Sequence, residues 1–95
     1  MAREYELVYI LNPTIGEEEQ AALNDRINNL VEANGTVVSV DDWGNRRLAY
    51  EIQDLKEGHY YLVNFTAETD GPREIERILR ILDGILRFLI IRKED

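Results

Sequence analysis

The chain has 95 residues, of which 44% are apolar and 32% charged, with no cysteine, one histidine and a formal net charge of −8. A chain of this length forms one domain, residues 1–95, that buries roughly 60 to 65 per cent of its unfolded surface, and it is too short for two cores. The absence of cysteine excludes disulfides and thiolate metal sites, no run reaches the ~20 apolar residues of a membrane span, and the acidity speaks against a free phosphate binder, which is expected to be basic.

Arg3 to Leu11 predicts a central strand, with Tyr5, Leu7, Tyr9 and Leu11 on one face and Val8 and Ile10 on the other. The preceding Met1-Ala2-Arg3-Glu4 lacks the apolar core of a secretory signal, which sets the expectation of a cytoplasmic protein without membrane contact. Asn12-Pro13 stops the strand. Thr14-Ile15-Gly16-Glu17 has capping-box spacing, Leu23, Ile27, Leu30 and Val31 form one helical stripe, and Asn34-Gly35 predicts a left-handed carboxyl cap. A second strand runs from Thr36 to Ile52, Asp54 to Gly58 reads as a loop, and His59 to Ala67 is a third strand. Asp70-Gly71-Pro72 opens a second helix along Ile75, Ile78, Leu79 and Leu82, ended by Asp83-Gly84, and Ile85 to Arg92 is the last strand. The order βαββαβ with two helical crossovers is the ferredoxin-like split βαβ of the α+β class: a four-stranded antiparallel sheet with two helices on one face. That topology makes the second and fourth strands the edges.

The second strand is too long to be straight. At ~3.3 Å per residue it would span ~55 Å, so it must bend or bulge, and Gly44 marks the place. Val38, Val40, Leu48, Tyr50 and Ile52 share one parity, which in an unbroken strand also holds Asp42 and Arg46. Asp41-Asp42 and Arg46-Arg47 bracket the only tryptophan, Trp43, with opposite charges. Two readings stand side by side: a charged edge that merely prevents self-pairing, and a docking surface for a partner of matching charge pattern.

Catalysis has little to stand on. The single serine, Ser39, lies between valines and the single histidine, His59, begins a strand, so no nucleophile with an adjacent base is assembled, and no carboxylates occur at metal-loop spacing. No enzyme activity, cofactor or metal is expected. Against the RNA-recognition motif the third strand gives half a match: Gly58, His59, Tyr61 and Leu62 fit, whereas Glu57, Tyr60 and Asn64 do not. Tyr60 and Tyr61 point to opposite faces, so only one of them can be a stacking platform. The charge is also uneven. Residues 1–42 hold nine acids against Arg3 and Arg26, a net of −7 that includes the helix-start run Glu17-Glu18-Glu19, while residues 43–95 hold ten acids and nine bases. Any RNA contact is therefore local and calls for a basic companion.

The run Trp43-Gly44-Asn45-Arg46-Arg47-Leu48-Ala49-Tyr50-Glu51-Ile52, together with Tyr5-Glu6, Leu11-Asn12-Pro13, Gly58 with Tyr60-Tyr61, and Leu79-Arg80-Ile81-Leu82-Asp83, resembles the bacterial small-subunit ribosomal protein S-six family over about the whole chain. The resemblance implies a structural constituent of the small ribosomal subunit. It would be a monomer when free, form a heterodimer with the small basic ribosomal protein S-eighteen, and bind the central domain of small-subunit ribosomal RNA as part of that pair. It also accounts for the acidity, because the companion supplies the positive charge. Asp41, Asp42, Trp43, Arg46 and Arg47 are then the expected docking surface for S-eighteen. Arg3 is expected near Arg92 and Lys93 by antiparallel pairing, and these three with Lys56 and His59 are the candidate RNA contacts. Arg73, Arg77 and Arg80 are expected in local ion pairs with Glu74, Glu76 and Asp83. Family members often carry an acidic or low-complexity carboxyl-terminal extension that helps hold the companion, whereas this sequence ends at Glu94-Asp95. The alternative reading is a stand-alone ferredoxin-like ligand-sensing or self-associating module that dimerises through its edge strand.

Overall fold

Alternation along the first strand sets the architecture. In the computed structural model, which describes residues 2–52 and 54–93, β1 (Arg3–Leu11) buries Tyr5, Leu7, Tyr9 and Leu11 on one face. Glu94 and Asp95 lie outside the described residues. The chain continues as α1 (Glu17–Asn34), β2 (Thr36–Ile52), β3 (Leu55–Ala67), α2 (Gly71–Leu79) and β4 (Ile85–Arg92). The sheet order is β2-β3-β1-β4 with every neighbouring pair antiparallel, so β2 and β4 are the edges, as the topology requires. Both helices pack on the face carrying Tyr5 and Leu7, where Ile27 and Val31 of α1 and Ile75 and Leu79 of α2 join Val63 and Phe65 in the core. Directly paired residues stack there, Tyr5 on Phe65 at 5.5 Å and Tyr9 on Tyr61 at 5.1 Å, each worth ~0.5–1.5 kcal/mol beyond its burial.

Local punctuation departs from expectation in four places. The capping box does not form: α1 is entered at Gly16 without a side-chain cap, and Thr14 instead donates its N–H and hydroxyl to Asn12 Oδ1 at 2.9 and 2.6 Å, so an Asx-type turn uses the polar groups one turn early. Gly35 is extended, at φ 178°, and not left-handed; a side chain there would place its Cβ 2.2 Å from the Thr66 carbonyl oxygen, so close approach of backbone is what selects glycine. The expected loop from Asp54 to Gly58 contracts to a turn at Asp54, φ +64°, because Leu55 pairs with Ile52, Glu57 with Arg47 and Gly58 with Arg46. Finally, α2 ends at Leu79, with Arg80 as its cap, short of Asp83-Gly84, yet Leu82 still packs against the core.

β2 contains two single-residue bulges. Val37 and Ser39 face the consecutive residues Phe65 and Asn64, and Asp42 and Gly44 face Tyr61 and Tyr60, which leaves Val38 and Trp43 as the extra residues. Each insertion reverses the face of everything beyond it. Consequently Val37, not Val38, packs on the core; Val40 and Asp42 share the helix-side face; and Arg46, opposite Gly58, has crossed to the open face. A further irregularity between Arg47 and Ile52 turns the distal arm back over the sheet. Leu48 is buried there, in contact range of Gly58, where an added Cβ would meet Ile10 Cγ2 at 2.3 Å and Leu48 Cδ2 at 3.5 Å. Tyr50 reaches Arg87 of β4, whose guanidinium lies 5.0 Å from the ring centroid.

Candidate functional site

The charge-bracketed tryptophan sits on the second bulge of an edge strand, 42% exposed, with the Arg46 guanidinium 5.5 Å from its ring centroid. Glycine at position 44 is required by the backbone alone: its φ is +73° and nothing would lie within 4 Å of an added Cβ. Asp42 Oδ1 accepts the Gly44 N–H at 2.8 Å and lies 2.5 Å from His59 Nε2. Desolvation pushes this carboxyl up, but the His59 hydrogen bond, the Gly44 N–H and the His59 charge outweigh it and hold Asp42 below its usual range. Behind it, burial and then Asp42 raise the Tyr61 hydroxyl, and burial, Tyr61 and Asp42 push the Tyr9 hydroxyl higher still. Of the five expected docking residues the structure brings Trp43 and Arg46 together and puts Arg46 on the same open face as Asp41, whereas Asp42 faces the helix side and engages His59. Asp41 pairs with Leu62 on the open face, and Arg47 pairs with Glu57 and lines a groove with Pro13, Thr14, Asp54 and Leu55.

The candidate RNA contacts are distributed over two faces and two ends. Arg92 pairs with Tyr5 and Lys93 donates its backbone N–H to Glu4, so Arg3, Arg92 and Lys93 do share a corner. Arg3 and Arg92 have the parity of Tyr5 and lie on the helix side, whereas Lys93 lies on the open face, its Nζ 3.5 Å from Glu6 Oε1. Lys56 is exposed beside the Arg47 groove at the opposite end of the sheet. His59 points to the helix side, only 19% of its side chain accessible, stacked on Tyr61 at 4.6 Å. On α2, Arg77 pairs with Glu74 at 2.5 Å and Arg80 pairs with Glu76, the local use expected of them. Among the described residues no group of three His, Cys, Asp or Glu is placed to hold a metal ion.

Sequence reasoning missed the open face of the sheet. Register places Leu62, Val8 and Leu89 in one row across β3, β1 and β4, flanked by Tyr60, Ile10 and Arg87 on one side and Asn64, Glu6 and Ile91 on the other. Leu89 is 57% and Ile91 44% exposed. The signal was present in β4, Ile85-Leu86-Arg87-Phe88-Leu89-Ile90-Ile91: an edge strand of a sheet covered on one side should alternate, and this one is apolar on both faces. The distal arm of β2 covers this face at the Ile10–Arg87 end, and Leu89 and Ile91 leave apolar area open to solvent beyond it. Next to the bulge the row forms a continuous surface, since Asp41 pairs with Leu62 and Gly44 with Tyr60.

Comparison with known proteins agrees with this architecture and extends it. Residues 4–92 match the family described as ribosomal protein S6. A small ribosomal subunit protein bS6 from Alkaliphilus oremlandii is 52% identical over 96% of this chain and 97% of its own length, and one from Caldanaerobacter subterraneus subsp. tengcongensis is 50% identical over 98% and 99%. The crystal structure of 30S ribosomal protein S6 from Thermotoga maritima superposes with a TM-score of 0.92 at 30% identity, covering 98% of this chain and 89% of that one. An uncharacterized protein of the same organism shares the fold at a TM-score of 0.64 but only 13% identity, so the architecture by itself does not carry the assignment. The near-complete span of the match, the identity to the relatives and the superposition converge: the chain belongs to the ribosomal protein S6 family of the small ribosomal subunit.

Proposed function

We propose that this protein is a structural scaffold of the small ribosomal subunit that pairs with the basic ribosomal protein S-eighteen and, in that pair, binds the central domain of small-subunit ribosomal RNA. The observation that carries the reading is the apolar row of the open face, half-buried at Leu62 and Val8 and exposed at Leu89 and the neighbouring Ile91, beside the charged bulge of β2 in a molecule whose net charge is −8. Such a surface suits a protein partner with basic residues at its rim and apolar residues at its centre. Leu62, Leu89 and Ile91 supply apolar area, Trp43 supplies an anchor, and Asp41 and Arg46 on the same face, with Asp42 and Arg47 on the other side of the edge, supply a register. Arg3, Lys56, His59, Arg92 and Lys93 remain the proposed RNA contacts. They are few, and the companion supplies the remainder of the positive charge.

The test is sedimentation of the purified protein with and without S-eighteen. The monomer should shift to a heterodimer, and replacing Arg46 and Arg47 with apolar residues should weaken the complex and promote self-pairing of the uncapped edge. A stable homodimer of the unaltered protein that ignores S-eighteen would support the alternative of a self-associating module.

A further inference from the structure

A relay of contacts on the helix side of the bulge runs from Asp42 through His59 to the core. His59 enters a groove between α1 and the β2–β3 pair, lined by Pro13, Ile15, Glu17, Gln20, Asn24 and Asn45. Its ring stacks on Tyr61, Tyr61 stacks on Tyr9, and the Tyr9 hydroxyl donates to Asn24 Oδ1 on α1, so the imidazole is tied to the core from behind. In front, one oxygen of Asp42 is shared by His59 Nε2 at 2.5 Å and the Gly44 N–H at 2.8 Å. A single carboxylate oxygen thus joins a side chain of β3 to the backbone of the bulge in β2. The bulge creates the opportunity: Asp42 faces Tyr61 and Asn45 faces His59, and the local twist brings Asp42 diagonally onto the imidazole.

We infer that His59 is a positioning residue for the β2 bulge: it holds Asp42, Asp42 holds the turn at Gly44, and that turn fixes how Trp43 and Arg46 project from the edge. The clamp is tightened by protonation. A neutral imidazole can donate one hydrogen bond to the carboxylate, whereas the imidazolium makes a charge-assisted one, about twice as strong. The ionisable groups that face His59 are Asp42 from β2, Glu17 from α1 and the phenol of Tyr61 from its own strand, with Tyr9 of β1 behind it. The consequence for S-eighteen rests on the docking surface proposed above, but the clamp itself does not.

The chain has one tryptophan and one histidine, which makes the test direct. Trp43 emission of the free full-length protein is followed from pH 5 to pH 8. A one-proton transition is expected in the unaltered protein and its loss in His59→Gln, which can still donate a hydrogen bond but does not titrate. Asp42→Asn should also lose it. A flat profile in the unaltered protein overturns the inference, and so does a transition that persists in Asp42→Asn, since His59 would then act on the indole without the clamp. In the companion arm, His59→Ala should weaken S-eighteen binding about five- to tenfold, and His59→Gln should retain most affinity at pH 8 without the gain on acidification. If emission behaves as stated while S-eighteen binds every variant equally, the clamp stands and the docking assignment of Trp43 is what fails.

Discussion

Single residues around the bulge are held by different forces, and substitution separates them. Gly44 is selected by its positive φ and by no contact, so Gly44→Ala should cost about 1 kcal/mol in urea unfolding, the penalty of placing a Cβ in the left-handed region. A cost near zero would mean that the bulge relaxes when glycine is replaced. Asp42 makes an electrostatic prediction. Its carboxyl ionises more readily folded than unfolded, so its contribution to stability is complete above the ordinary aspartate range and disappears as pH falls through its depressed folded value. Asp42→Asn should therefore flatten the acid limb of the stability profile between about pH 5 and 2, relative to the unaltered protein. An unchanged limb would show that the carboxylate gains nothing from His59 and Gly44.

The elements differ in how plainly the sequence announced them. β1 and β4 end where their patterns end because each pairs in nearly unbroken register, and the edges follow from the topology. β2 did not, because two inserted residues shift its period, and only the one beside Gly44 leaves a mark in the sequence. Nothing in Thr36-Val37-Val38-Ser39 announces a bulge, so the single parity expected to join Val38, Val40, Asp42 and Arg46 does not hold, and Val37 is the valine that packs on the core. The contrast is measurable. Val37→Ala should destabilise by about 1–2 kcal/mol and Val38→Ala, at a side chain 66% exposed, by less than about 0.5 kcal/mol. The reverse order would place the bulge elsewhere. The same register problem concealed the Asp42–His59 pair, 17 residues apart in sequence and joined only through the distorted ladder, whereas Trp43 between opposite charges was legible as it stood. Register also brought Arg3, Arg92 and Lys93 to one corner without revealing that they divide between two faces.

At the scale of the whole molecule, an acidic protein belongs to an assembly built on RNA. The acids of α1 and the local pairs of α2 lie on the helical layer, and the open sheet and its bulged edge expose Leu89, Ile91 and Trp43. Reversing the charge of Arg3, Arg92 and Lys93 together should reduce the salt slope of assembly by roughly 0.9 for each phosphate that is no longer neutralised, while leaving S-eighteen binding nearly intact. An unchanged slope, with Arg77 and Arg80 variants impaired instead, would move the RNA to the helical face. The central claim, that recognition belongs to a pair, is tested most directly by titrating the central-domain RNA at physiological salt with this protein alone and with S-eighteen present. Isolated binding should be no tighter than the ~10⁻⁴ to 10⁻⁶ M of non-specific association, with a marked tightening when the companion is added. Tight, sequence-specific binding by the protein alone, unaltered by S-eighteen, would contradict that claim.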